Sequence, residues 1–151
     1  MVFPASGLFV ATFVDALDLT QLALDLDLDT HKVALYTDAI VSPNLVTDTA
    51  YGVAPWNANE ITGTGYTAGG NALTGTTYLS TGAGVTTFDA TDTPWTTATF
   101  SAVRGCLIYA DVLAGNNSIA AITFGADYAV TSGTFTIQWN VSGIFTVDWV
   151  P

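Results

Sequence analysis

The chain is predicted to be mainly β: an antiparallel β-sandwich, jelly-roll-like or Ig-like, with one short N-terminal helix. Three features of the sequence predict this. Apolar and polar residues alternate with period two over several stretches, and threonine takes many of the outer positions. Short strand patterns follow one another between turn signals rich in Gly, Asn, Asp and Pro. Helical spacing of three and four residues is confined to the start of the chain.

Residues 1–23 are read as the helical segment. Phe9, Phe13 and Leu17, flanked by Val10 and Val14, repeat at helical spacing, with Ser6 in place as an N-cap. This apolar stripe either covers an open end of the sheets or docks on another subunit, so Phe9, Phe13 and Leu17 are interface candidates. Residues 24–151 are read as the sandwich. Leu24, Leu26 and Leu28 would face one side of a first strand and Asp25, Asp27 and Asp29 the other, before a turn at 30–32 and a strand at 33–36.

Residues 41–58, with Pro43, Pro55 and Trp56, have no clean period. They read as a long ordered loop of the kind that makes contacts outside its own domain. Trp56 either anchors such a contact or pins the loop to its own core. Gly63, Gly65, Gly69 and Gly70 allow positive φ at turns or bulges, and Tyr66 can hold that loop by packing its ring. Further strands are expected at 72–79, 85–88, 97–103, 105–110 and 119–124. Residues 124–150 read as a closing hairpin: Phe135, Ile137 and Trp139 share one face, 140–143 turn the chain, and Phe145, Val147 and Trp149 share a face of the return strand.

Composition excludes several functions. Two basic residues, Lys32 and Arg104, stand against thirteen acidic ones, for a net charge of −11. Phosphate backbones and anionic lipid surfaces would be repelled, so neither nucleic acid nor membrane is an expected partner. The start lacks a basic leader region, and Asp15 interrupts its apolar run short of the roughly eighteen residues of a membrane span. A soluble protein is expected, long enough to bury about two thirds of its unfolded surface in one core.

Chemistry-bearing groups are sparse. The single cysteine, Cys106, sits in the apolar run CLIY, and the single histidine, His31, is far from it in sequence. No nucleophile, base and orienting group can be assembled from these, so the chain is read as non-enzymatic, with no cofactor. Asp25, Asp27 and Asp29 present hard oxygen donors at alternate positions, but the glycine and glutamate of a calcium loop are missing, and a solvated acidic face is the expectation. Arg104, inside an apolar strand run, needs a carboxylate partner if buried or else projects into a subunit contact.

Five segments run in order along most of the chain: LDLDTHKVALYTDA at 26–39, NEITGTGYTAGG at 59–70, TTFDATDTPW at 86–95, RGCLIYAD at 104–111 and FGADYAVTSGTFTIQWNVSGIFTV at 124–147. Together they resemble a family of head decoration, or minor capsid, proteins of tailed bacteriophages. The resemblance implies a structural virion protein on the outer surface of the capsid, bridging subunits of the major capsid protein, commonly as a homotrimer, with no active site. Residues 1–24 are more apolar than that family would suggest. Two other classes stay open: a structural component of a phage tail, and a carbohydrate-binding β-sandwich module, since exposed Trp and Tyr can stack on sugars. Aromatics spread over strand faces and loops, rather than gathered in one cluster, argue against the second.

Overall fold

A computed structural model describes residues 6–9, 12, 22–28, 30–40, 43–82 and 84–149. It is mainly β, with antiparallel strands β1 (Gly7–Leu8), β2 (His31–Tyr36), β3 (Asn71–Ala72), β4 (Thr77–Gly82), β5 (Val85–Asp89), β6 (Thr93–Ala110), β7 (Ser118–Ile137) and β8 (Phe145–Asp148). A five-stranded sheet has the order β1-β7-β6-β2-β3, and a three-stranded sheet the order β4-β5-β8.

The centre of the larger sheet is buried on both faces. Val33 and Leu35 of β2, with Cys106 and Ile108 of β6, point into one core, where Phe88 of the smaller sheet meets them. Ala34 and Tyr36, with Leu107 and Tyr109, point the other way into a second core with Phe9, Ile40 and Trp56. That is why VALY and CLIYA read as unbroken apolar runs: a strand covered on both faces has no polar side to alternate with.

The two long strands set the shape. β6 has 18 residues and β7 has 20, beyond the roughly 3–10 usual for a strand. Their pairing slips register at Trp95/Ala98, Ala98/Phe100, Phe100/Val103, Val103/Gly105 and Ile108/Tyr109. Each slip is a bulge that bends and twists the ladder. Trp95, Phe100, Val103 and Ile108, from both ends of β6, thereby reach the same core.

Several expectations are corrected. The closing hairpin does not form: β7 pairs with β6, whereas β8 pairs with β5 in the other sheet. The turn is where it was expected, with Gly143 N–H donating to Asn140 O at 2.8 Å, but Ile144 N–H then donates to Phe88 O at 2.8 Å and commits the chain to β5. The segments at 97–103 and 105–110 are one strand, as are 119–124 and the stretch reaching 137. No strand forms at 24–28, where residues 26–28 turn.

The beginning of the chain also differs. The expected helix falls largely outside the described residues, as do Phe13 and Leu17 themselves; of its span only Thr12 is described as helical. The described part of 1–23 is built into the larger sheet: Gly7 and Leu8 pair with Ala121 and Ala120. The Ser6 Oγ accepts from Thr123 N–H at 3.0 Å. Thr12, buried, donates its hydroxyl to Ser118 O at 2.6 Å.

Candidate functional site

Two features gather side chains from distant parts of the sequence. The first is a polar hub around Glu60, the single glutamate of the chain. Its Oε1 accepts from the Tyr66 hydroxyl at 2.6 Å and from Gly69 N–H at 2.7 Å, and its Oε2 accepts from the Tyr51 hydroxyl at 3.0 Å. Tyr66 in turn accepts from Leu35 N–H at 2.9 Å. The Tyr109 hydroxyl donates to Gly69 O at 2.9 Å, and the Tyr51 ring stacks on Tyr109 with centroids 4.5 Å apart.

The glycines have a specific use here. Gly70 has φ +72°, and an added Cβ would collide with the Val33 carbonyl oxygen, so this close approach to β2 admits only glycine. Burial, with the Glu60 hydrogen bond adding to it, pushes the Tyr51 phenol up to about 12. Burial likewise drives Tyr36, Tyr66 and Tyr109 upward, so all four stay protonated donors at neutral pH. Every contact of this hub is spent on tying the glycine loop and the 43–58 loop to the sheet.

The second feature is an open groove of about 420 Å³, lined by β7 and the turn that follows it. A wide bulge helps build it: between the pairs Val103↔Tyr128 and Gly105↔Thr123, residues 124–127 of β7 are left over opposite Arg104. Arg104 fastens this bulge, its Nε donating to Asp127 Oδ1 at 2.7 Å and its Nη1 to Gly125 O at 3.2 Å, with Asp38 at 3.7 Å. The groove is walled by Phe124, Tyr128, Phe135 and Trp139, with Gln138 and Asn140 beside them.

Of the sequence-predicted candidates, the structure brings Phe9 and Trp56 together, and Phe13 and Leu17 lie outside the described residues. Phe9 and Trp56 are buried within their own chain, packed edge to face at 6.0 Å, and Trp56 also meets Tyr36 at 5.1 Å. Trp56 pins the 43–58 loop onto the back of the larger sheet, its Nε1–H donating to Asp48 O at 3.3 Å. Arg104 has found the carboxylate partners its setting required. The other basic residue, Lys32, pairs with Asp111 at 3.0 Å.

Asp25 and Asp27 lie in a turn, where Asp25 Oδ1 accepts from the N–H of Asp27 and of Leu28, each at 3.3 Å. A hydrogen bond between the two carboxyls lowers the Asp25 pKa and raises that of Asp27. Asp29 lies outside the described residues. Among the described residues no three His, Cys, Asp or Glu side chains are grouped as metal ligands. Burial pushes the Cys106 thiol up, away from the reactive thiolate. No described helix is long and apolar enough to cross a membrane.

Sequence reasoning missed both features. Glu60 carried a signal, as an isolated carboxylate beside a glycine-rich loop that also holds Tyr66. The groove carried part of one, since Phe135, Ile137 and Trp139 were expected on one face, but the bulge beside which Phe124 and Tyr128 join them was not legible. In comparisons with known proteins, the chain matches no family model, no curated protein and no solved structure.

Proposed function

We propose that this chain is a non-enzymatic structural protein of a tailed-phage virion, a decoration protein that binds the outer surface of the capsid and stabilises the lattice of major capsid protein. Its framework is read as a β-sandwich and its working form as a homotrimer. The observation that carries this reading is where the five resembling segments fall. They supply β2, the Glu60-tied glycine loop, β5 with the start of β6, the doubly buried half of β6, and β7 with β8. The likeness thus follows the framework of the fold rather than one surface loop.

The acidic balance supports an outward position. A net charge of −11 would oppose contact with packaged DNA and favour a basic protein surface. Stabilisation would work by mass action: contacts made only to the assembled lattice favour that lattice, and many copies multiply a modest interface. With Phe9 and Trp56 spent inside the chain, contacts fall to exposed loops and strand edges, where Leu28, Val46, Val53 and Val112 lie open. The test is co-sedimentation of purified protein with expanded capsids of the parent phage, followed by heating. Saturable binding that raises the capsid disruption temperature is expected. Failure to bind intact capsids overturns the reading.

A further inference from the structure

The β7 groove is a feature that a role in lattice adhesion leaves unused. We propose that it is a binding site for a neutral saccharide, independent of the virion reading. Its volume of about 420 Å³ falls in the range of small-ligand pockets, roughly 300–1,000 Å³. Its lining defines the chemistry of the occupant. Four aromatic rings, Phe124, Tyr128, Phe135 and Trp139, offer apolar surface, while Gln138 offers an amide donor and acceptor and Asn140, whose Oδ1 accepts from Ser142 N–H at 2.9 Å, offers its amide donor. A pyranose matches both, because its C–H face stacks on a ring and its hydroxyl edge bonds to amides.

Charge narrows the choice further. The chain carries thirteen carboxylates and two basic side chains, yet among the described residues none of them lines the groove. An anionic ligand would meet no cation there, and a cationic one no carboxylate. The walls are also positioned in advance, which lowers the ordering cost of binding. The Trp139 indole N–H donates to Thr93 Oγ1 at 3.3 Å and its backbone N–H to Asp92 Oδ1 at 3.0 Å. Phe135 is fixed against Trp95 and Phe100 with centroids 5.9 Å and 5.4 Å away, and Phe124 meets Tyr128 edge to face at 6.2 Å. The spread of aromatics that argued against a sugar site in the sequence is therefore resolved locally: four of them converge.

The test is a titration of the full chain with neutral oligosaccharides of glucose, mannose, galactose and N-acetylglucosamine, read by amide NMR shifts and tryptophan fluorescence. Sialylated and sulfated glycans serve as charged probes. At least one neutral probe is expected to bind at millimolar concentration or better, shifting the amides of 135–140. Tyr128 and Gln138 are exposed, so their truncation leaves the fold intact. Tyr128→Ala should weaken binding about tenfold and Gln138→Ala about threefold, whereas Trp149→Ala, outside the groove, should leave it unchanged. Absence of binding by every neutral probe, preference for the charged glycans, or affinity that follows Trp149 instead of Tyr128 and Gln138 overturns the proposal.

Discussion

The two ends of the β6–β7 ladder are made by the same pair of strands and differ in almost everything else. At one end, Gly105 to Tyr109 pair with Thr123 to Ser118, and both faces are covered, by the smaller sheet's side of the core and by the 43–58 loop. At the other, Trp95 and Phe100 pair with Phe135 and Val130, and only one face is buried. The first end reads CLIYA and SIAAI; the second reads TPWTTATF and TSGTFTI. Apolar pattern therefore reports how many faces of a strand are covered, and threonine marks the face left to water. The groove opens beside the half-covered end.

The largest effect is expected where the second face is sealed. Trp56→Ala should cost about 3–5 kcal/mol, because it removes the ring that holds the loop over Tyr36 and Phe9. Equilibrium urea denaturation measures this. Next, Glu60→Ala should cost about 2–3 kcal/mol by stranding the Tyr51 and Tyr66 hydroxyls and Gly69 N–H, and Glu60→Gln about 1 kcal/mol, since an amide oxygen still accepts.

Alkali should act on the same covered side. Tyr36, Tyr51, Tyr66 and Tyr109 have phenols raised in the folded chain above their ordinary 10.0. Their contribution to stability is complete below pH 10.0 and is lost as the pH rises, through about 12 for Tyr51 and higher still for the other three, because the unfolded chain releases those protons first. Melting temperature followed from pH 8 to pH 12 should be flat and then fall, with a late ultraviolet tyrosinate signal (roughly two pH units of delay for Tyr51). Smallest of all, Thr136→Ala, on the exposed side of the other end, should change stability by less than about 0.5 kcal/mol. A loss there comparable to that of Trp56→Ala would contradict the difference drawn between the two ends.

Much of this was legible in the sequence, and the misses have physical causes. β2 was visible because VALY is a short apolar run bounded by turn residues, and β5 because Val85 and Phe88 sit between glycine and Asp-Thr punctuation. The Tyr66 ring was expected to hold the glycine loop and does so, stacked on Trp95 at 6.3 Å. The hairpin failed because alternation tells which side chains share a face but not which strand lies alongside. Phe145 shares its face as expected, yet packs on Phe88 at 5.2 Å. β6 was split at Arg104 because a charge interrupts the apolar run. Asp127 and the Gly125 carbonyl, more than twenty residues away, let the strand continue. Asp25 and Asp27 mimicked a strand face, but their short carboxyls satisfy local backbone N–H groups and favour a turn. The loop at 43–58 lacked a period because it covers a sheet face instead of joining one.

The proposed adhesion to a capsid lattice is tested most directly by electron cryomicroscopy of particles of the proposed parent phage carrying this protein in a tagged form, refined to side-chain resolution. Density matching the five-stranded sheet is expected on the outside of the head, at repeated positions between major capsid subunits and grouped about local threefold axes. Density confined to the tail, or a head lattice bare of the protein while the chain is present in the particle, would contradict it.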